Sequence, residues 1–374
     1  MKLVLYSRLA FYPIHWQALE EIVRRYDVEA VVLAAPSPAL PSVHEAHGTA
    51  EPGRGMVVRH MPAGSRRERL AWLAQQLRRI KPDAIWVQEE PIDPFLLEIL
   101  ALYRVRRRPR IVASVCENIF PPPVSRVERI ARRLLWPRLD ALIAVASASV
   151  DGIRAAGMPE SVRAETLVAG GLEPPPRVEP MKLPFAESNF VVGFAGRIVE
   201  EKGWRVLAEA LGSLPEDFKL AVAGDGPDRE ALCAALPGRV RDVGLLPKSE
   251  LWSFYAALDA IAVPSLTMPR WKEQLGQTVL DALAMGVPVV ASASGGLPDA
   301  VGGAGILVPE GDASALAAAL KRLRDHPDLR ERLTEAGRER FEREFAIPAY
   351  ADKIAAALEL PPRAGVATVV ARCG

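Results

Sequence analysis

The chain has 374 residues, too many for one ordinary hydrophobic core, and its length fits two domains. Hydrophobic residues make up 49% and charged residues 25%, which excludes an intrinsically disordered chain. The net charge of +1 hides an asymmetry, because residues 1–180 carry 25 Lys and Arg against 20 Asp and Glu, so the first half favours an anionic partner.

The N-terminal segment and the cysteines indicate the compartment. The apolar stretch at the start of the chain is interrupted by Arg8 and Pro13, so it predicts a first buried strand rather than a secretion signal. Cys116, Cys233 and Cys373 are widely separated, which argues against a disulfide framework or a zinc knuckle. No run of 18 apolar residues occurs. We expect a cytoplasmic protein, with peripheral binding to the inner face of the membrane left open.

Short apolar segments alternate with amphipathic segments along the whole chain. In the first half they predict strands at 3–6, 28–33, 84–87, 111–115 and 141–145. In the second half they predict strands at 190–195, 220–223, 260–263 and 287–291. This alternation predicts an α/β fold, in which helices cover both faces of parallel sheets.

A proline-rich segment at 170–184, GGLEPPPRVEPMKLP, separates the two halves and suits neither a helix nor an inner strand. We therefore predict an N-terminal domain at 1–169, a linker at 170–188 and a C-terminal domain at 189–345, followed by a final helix and a loose tail at 346–374. Ligands of doubly wound sheets bind beyond the carboxyl ends of the strands, and pockets favour domain interfaces.

Two cations follow the predicted strand at 190–195. Arg197 and Lys202 precede a helix, where the positive end of the helix dipole disfavours cations. A bound diphosphate would resolve the conflict, with Arg197 in a forked contact and Lys202 as a point charge. The alternative is that Lys202 forms a surface ion pair with Glu200 or Glu201.

Two carboxylates stand near a helix-to-strand turn in the segment 272–292, KEQLGQTVLDALAMGVPVVAS, where Glu273 precedes Asp281 by eight residues. A carboxylate accepts hydrogen bonds from vicinal hydroxyls, and backbone N–H groups at a helix start bind phosphate. The pattern thus favours a site shared by a sugar, a ribose and a diphosphate. The alternative is that Glu273 caps the helix and Asp281 lies on its solvated face, two turns from the start.

These motifs occur in the order that is typical of the retaining glycosyltransferases of family 4, which the chain resembles over about 120 residues of its second half. The matching segments are 194–203 (FAGRIVEEKG), 221–227 (AVAGDGP), 242–265, 272–292 and 294–312. The resemblance implies a GT-B fold, in which two doubly wound Rossmann-like domains face each other across a cleft. It also implies transfer of a sugar, with retention of anomeric configuration, from a nucleoside diphosphate sugar to an acceptor in the first domain.

The resemblance further implies roles for single residues. Arg197 and Lys202 would stabilise the leaving diphosphate without a metal, Glu273 would contact the transferred sugar, and Asp281, where the family carries Glu, would bind the ribose. Glu117, after the strand at 111–115, is the candidate near the acceptor, and no nucleophile is assigned. The expected donor site comprises Gly196, Arg197, Lys202, Gly224, Leu245, Glu273, Gln274, Leu275, Gly276 and Asp281.

The expected partners are the nucleotide-sugar donor and an acceptor, either a lipid-linked saccharide, a polysaccharide or a small molecule. No nucleic acid, metal or further cofactor is expected. A nucleotide-sugar 2-epimerase and a non-catalytic protein that binds sugar nucleotides or a membrane surface remain alternatives.

The basic segment 125–138 bears on the membrane question. Ile130, Leu134 and Leu135 share one face of a predicted helix and arginines the other, which fits either interfacial membrane binding or a covering helix with a solvated basic face.

Overall fold

The computed structural model describes residues 1–7, 13–34, 56–88, 94–103, 108–120, 125–168, 170 and 173–365, although not the side chains of 13–16 and 94. The chain divides into two compact units, one formed by Met1–Gly170 with Ile347–Gly374 and the other by Gly171–Ala346. The predicted tail beyond residue 365 lies outside the described residues.

In the first unit, parallel strands form one sheet in the order β3-β2-β1-β4-β5-β6-β7. The strands are β1 Lys2–Ser7, β2 Glu29–Ala34, β3 Met56–His60, β4 Ala84–Gln88, β5 Arg110–Val115, β6 Ala141–Ala144 and β7 Arg163–Thr166. The helices are α1 Pro13–Arg25, α2 Arg66–Ile80, α3 Pro94–Leu102, α4 Arg126–Leu135 and α5 Ser147–Ala155. Alternate residues of β1 enter two different apolar clusters, so both faces of the sheet are covered.

In the second unit, the parallel strands follow the order β10-β9-β8-β11-β12-β13. They are β8 Phe190–Ala195, β9 Phe218–Ala223, β10 Val240–Gly244, β11 Ala260–Val263, β12 Val289–Ser292 and β13 Gly305–Val308. The helices are α6 Trp204–Gly212, α7 Arg229–Ala235, α8 Lys248–Tyr255, α9 Gln277–Met285, α10 Leu297–Val301, α11 Ala313–Asp325 and α12 Pro327–Arg340. Each unit is thus Rossmann-like, and the predicted α/β class is confirmed.

The nine predicted strands are all present, with ends within two residues of those expected. The four strands that the apolar pattern missed are β3, β7, β10 and β13, which lie at the four edges of the two sheets. Edge strands are less covered, so β3, β7 and β10 tolerate the polar and charged residues of MVVRH, RAET and VRDVG. The fourth, β13, is the short apolar segment GILV, which this reason does not explain.

Helix α13, Ile347–Ala357, follows the second unit in sequence but packs on α1 in the first. A buried ion pair joins Arg25 to Asp352 over 3.0 Å, and the hydroxyl of Tyr26 donates to Asp352 over 2.8 Å. Ile354 and Leu358 belong to the apolar cluster beneath this sheet. The core of the first unit therefore includes chain from both ends of the sequence.

Helix α4 packs opposite to one expectation. Ile130 and Leu134 are exposed, whereas Arg132 is buried, paired with Glu128, and has its guanidinium carbon 5.4 Å from the ring centre of Trp136. The covering-helix alternative is therefore wrong for Ile130 and Leu134, although Leu135 packs against the core and the basic face is solvated as that alternative predicts. The helix docks through Arg132 and Leu135 together with the following Trp136, since a desolvated cation is tolerated when it is paired and stacked on a ring.

Among the described residues, no helix combines the length and the apolar character that a membrane-spanning segment needs.

Candidate active site

A cavity of about 120 Å³ lies at the carboxyl ends of β8 and β11. The chain continues from β8 to β9 on one side and later to β11 on the other, so the cavity marks the switch point where such sheets bind ligands. Its lining residues are Phe194, Ala195, Lys202, Ala262, Val263, Ser265, Glu273, Gly276, Gln277 and Thr278. Three predicted site residues, Lys202, Glu273 and Gly276, therefore share one cavity.

Lys202 and Glu273, 71 residues apart in sequence, form an ion pair in the cavity wall. The ammonium lies 2.7 Å from Oε2 of Glu273, which also accepts a hydrogen bond of 2.7 Å from the hydroxyl of Ser265. The ammonium also lies 5.0 Å from the ring centre of Trp271. Lys202 thus pairs with Glu273 and not, as the alternative had it, at the surface with Glu200 or Glu201, and Glu273 is buried.

Gly203 allows this pairing. Its φ of +70° is left-handed, and a Cβ there would lie 1.8 Å from the carbonyl oxygen of Pro264. The turn that carries Lys202 thus presses directly on the chain leaving β11, which leads to Ser265 and Glu273. Any side chain at this position would push the two halves of the ion pair apart.

Arg197 has a different environment. Its side chain is 62% exposed and pairs with Glu201 at 3.3 Å, one helical turn further along. Such exposed pairs contribute little to stability, so the guanidinium is able to exchange this partner for a ligand. The surface pair that we considered for Lys202 thus belongs to Arg197.

Gly196 and Gly224 lie side by side where β8 and β9 end. A Cβ on Gly224, whose φ is +152°, would lie 1.9 Å from the carbonyl oxygen of Gly196. The N–H of Gly224 donates to the carbonyl of Gly244 over 2.8 Å, which joins this turn to the end of β10. Gly224 therefore has a structural reason to be glycine, independent of any ligand.

The segment between Glu273 and α9 is fixed from several sides. The carbonyl of Glu273 accepts from the N–H of Gly296 over 2.9 Å, and the hydroxyl of Thr278 donates to the carbonyl of Ala195 over 3.1 Å. Gly276 is the residue before α9 and, being glycine, provides no side-chain cap for this helix. Gln274 and Leu275 lie half-buried in the connecting segment.

Asp281 is 3% exposed, which excludes the solvated helix face. It follows the first residue of α9 by about one turn rather than the two that we expected. Its Oδ1 atom lies 2.6 Å from the ammonium of Lys248 and accepts a hydrogen bond of 3.2 Å from the side-chain amide of Gln277. Gln277 also lines the cavity, so Asp281 contacts one of the residues of the cavity wall.

Two other predicted residues are not among those that line the cavity. Leu245, directly after β10, is 73% exposed, unlike most large apolar residues of the unit. Glu117 follows β5 in the first unit, is half-buried, and precedes the buried Asn118.

Sequence reasoning missed Ser265, Trp271, Gln277 and Lys248. A signal for Lys248 was present, because it is the first residue of α8, where the helix dipole disfavours a cation. The same argument identified Lys202. Ser265, Trp271 and Gln277 carry no comparable signal, since each is an ordinary polar or aromatic residue in its segment.

Over the described part of the chain, no group of three or more His, Cys, Asp or Glu side chains is arranged to hold a metal ion.

Residues 177–340 match the model of a family described as glycosyl transferases group 1. The chain is also 32% identical over 313 residues to the 2-deoxystreptamine glucosyltransferase of Streptomyces kanamyceticus, covering 74% of this chain and 79% of that protein. The chain belongs to the group 1 glycosyltransferases. It is therefore an enzyme that transfers a sugar from a nucleotide sugar to an acceptor.

Other relatives of this glycosyltransferase match over shorter stretches. The lipopolysaccharide core biosynthesis glycosyltransferase LpsE of Rhizobium meliloti is 35% identical over 178 residues, 44% of this chain and 49% of that protein. Anabaena Alr3699/HepE in complex with UDP superposes with a TM-score of 0.70 at 19% identity, over 96% of this chain and 100% of that one. This last likeness shows the fold, which is GT-B.

Proposed function

We propose that this glycosyltransferase is a retaining enzyme of family 4 that takes its sugar from a nucleoside diphosphate hexose. The observation that carries the proposal is the 2.7 Å ion pair of Lys202 and Glu273 in the cavity wall at the switch point. The two partners match the two ends of such a donor, because an ammonium binds a diphosphate and a carboxylate accepts hydrogen bonds from sugar hydroxyls.

In this proposal the donor separates the ion pair. The diphosphate takes Lys202, and Glu273, still held by the hydroxyl of Ser265, accepts hydrogen bonds from the sugar. Arg197 leaves its exposed pair with Glu201 and adds a second cation at the phosphates. As the glycosidic bond breaks, charge develops on the leaving diphosphate, and two preorganised cations stabilise the oxocarbenium-like transition state.

The nucleoside would occupy the neighbouring region. Asp281 would accept hydrogen bonds from the ribose, and the exposed Leu245 would offer an apolar surface to the base. Backbone N–H groups around Gln274, Leu275 and Gly276 would meet the phosphates at the start of α9. The acceptor is assigned to the first unit, with Glu117 near it. UDP-glucose is the first donor to test, because it occurs in a structure of Anabaena Alr3699/HepE.

A panel of nucleotide sugars tests this function. Binding is measured by thermal shift, since a ligand at 100 times its Kd adds roughly 2.7 kcal/mol to the stability. Release of nucleoside diphosphate is then followed with and without candidate acceptors, and the anomeric configuration of the product is read by NMR. Acceptor-independent conversion of the donor would indicate an epimerase, and an inverted product would contradict retention.

We expect sugar transfer to survive EDTA. Lys202 and Arg197 supply the positive charge that a divalent cation supplies at the diphosphate of other transferases. Initial rates are compared in EDTA alone, after gel filtration, and with Mg²⁺ or Mn²⁺ restored. Loss of activity in EDTA with full recovery in either metal would contradict the proposed mechanism.

We also propose that the enzyme works peripherally at the inner face of a membrane, docking through α4. Val127, Ile130 and Leu134 are 77%, 59% and 62% exposed and recur at the spacing of one helix stripe. A second exposed stripe lies beside it, formed by the residues that precede each of these, Arg126, Arg129 and Arg133.

The positive charge of the arginine stripe decides between two partners for this face of α4, a second copy of the chain and a lipid surface. A symmetric contact between two copies would bring the two arginine stripes together, which like charges disfavour. An anionic lipid surface instead takes both stripes, the apolar one at the acyl boundary and the basic one among the headgroups.

Sedimentation with vesicles checks this docking. The protein should sediment with phosphatidylglycerol-containing vesicles but not with phosphatidylcholine alone, and salt should release it. Changing Arg126, Arg129 and Arg133 to Gln should weaken binding by roughly 100-fold, since each basic side chain contributes about 1 kcal/mol. The matched control changes the exposed Arg322, Arg332 and Arg343 to Gln, which removes equal charge from the other unit. Equal losses in both variants, or no sedimentation of the wild type, would contradict docking through α4.

A further inference from the structure

Lys248 is held in a defined position beside Asp281. Its ammonium lies 2.6 Å from Oδ1 of Asp281 and 4.2 Å from the ring centre of Trp252, one helical turn along α8. Among the residues that the structure describes, these are the contacts of the ammonium. An ammonium has three N–H donors, so at least one remains for a ligand or water.

The carboxylate of Asp281 has a matching capacity. Its contacts with Lys248 and with the amide of Gln277 both go to Oδ1. Within the described residues, no hydrogen bond reaches Oδ2. Oδ2 therefore remains an acceptor, and it belongs to the same carboxylate whose other oxygen contacts the Lys248 ammonium. An acceptor and a donor so placed suit a vicinal diol, whose two hydroxyls each donate or accept.

Without a ligand, placing Lys248 and Asp281 here costs the fold stability in two ways. A cation at the first residue of a helix opposes the dipole, and taking both charges out of water costs desolvation. Burial raises the pKa of Tyr255, and the nearby charge of Asp281 raises it further, so this hydroxyl stays protonated and neutralises no charge. Within the part of the chain that the structure describes, Lys248 is therefore the cation that balances the charge of Asp281.

We propose that Lys248 and Asp281 together recognise the ribose of the donor, with Oδ2 accepting from one vicinal hydroxyl and the ammonium donating to the other. The inference rests on the proposed function, because it needs a nucleotide to bind, and it adds a specificity-determining residue. Asp is one methylene shorter than Glu, and in this proposal Lys248 supplies the second contact with the diol.

The test measures discrimination between ribose and deoxyribose. Calorimetric titration compares UDP, 2′-deoxy-UDP and 3′-deoxy-UDP, or the same series of whichever base the screen selects. Lys248→Met keeps the side-chain length and its packing on Trp252 but removes the donors. We expect the affinity for UDP to fall about 10-fold or more, as for loss of a charge-assisted hydrogen bond. The variant should no longer prefer UDP over the deoxy form that lacks the hydroxyl bound by Lys248. It should still prefer UDP over the other deoxy form.

Two further variants separate recognition from folding. Lys321→Met removes an exposed lysine of the same unit and should leave all three affinities unchanged. The double variant Lys248→Met, Asp281→Asn removes both charges, so no buried carboxylate is left unpaired. It should lose the preference for UDP over both deoxy forms. A structural role would lower Tm and leave the affinity ratios as in the wild type. If folded Lys248→Met binds UDP as the wild type does, with the same affinity ratios between UDP and its deoxy forms, this inference alone is overturned. If the wild type binds no nucleoside diphosphate, the proposed function is overturned.

Discussion

Replacing Lys202 or Arg197 with Ala should lower the rate of sugar transfer by about 100-fold or more. Each substitution removes a cation that faces the charge developing on the leaving diphosphate, and loss of one preorganised donor has effects of this size. Lys202→Ala should have the larger effect, because this ammonium is already fixed in the cavity wall, whereas Arg197 is exposed and must be ordered by the donor. The measurement is the steady-state rate at saturating donor and acceptor.

Arg205→Ala is the matched control for these variants. Arg205 is an exposed cation near the start of α6, a few residues beyond Lys202, and stacks on Trp204 rather than lining the cavity. Its removal should change turnover by less than about twofold, because surface substitutions away from a site have small effects. Unchanged turnover in both Lys202→Ala and Arg197→Ala would remove the diphosphate assignment.

Substitutions of the two buried carboxylates should separate the sugar from the nucleoside. Asp281→Ala should weaken binding of both UDP and UDP-glucose, because the ribose is common to them. Glu273→Ala should weaken only UDP-glucose, since its partner is the transferred sugar. Each lost charge-assisted contact should cost roughly 1.5–3 kcal/mol. Glu273→Ala should even favour UDP, because Lys202 then loses the carboxylate that competes with the diphosphate. Isothermal titration of each variant with both ligands measures these differences.

Asp281→Glu completes the series, because it restores the residue that family 4 carries. Binding should be kept if the buried site accepts the extra methylene beside Lys248. Glu335→Ala, on the exposed side of α12, is the control for removal of a carboxylate. Equal affinities of all variants for both ligands would mean that neither carboxylate meets the donor.

The sequence predicted the inner strands because these are buried on both faces and appear as continuous apolar runs. It missed the edge strands β3, β7 and β10 for the converse reason, whereas the edge strand β13, GILV, is apolar and was missed although its pattern was present. The ion pair of Lys202 with Glu273 was beyond such reasoning, since it depends on the approach of Gly203 to Pro264 across two strand ends. The sequence identified both Lys202 and Glu273 as site residues. It did not show that their charges neutralise each other in the free protein.

The packing of α4 could not be predicted from periodicity for a different reason. A helix stripe of Val127, Ile130 and Leu134 normally indicates the core side. Here Leu135 and Trp136 make the core contact together with Arg132, which stacks on Trp136 and pairs with Glu128. An amphipathic pattern identifies two faces of a helix, but the surrounding fold decides which of them is inside.

The return of α13 to the first unit has a consequence for synthesis on the ribosome. Residues 1–170 emerge first, yet their apolar layer under α1 is incomplete until Ile354 and Leu358 have been made. The second unit is one continuous stretch and needs no later residues, so it should reach its native state first. Domains usually fold in the order of translation. In this chain the N-terminal unit should finish last, and in the interval its uncovered apolar surface is the part that a chaperone would bind.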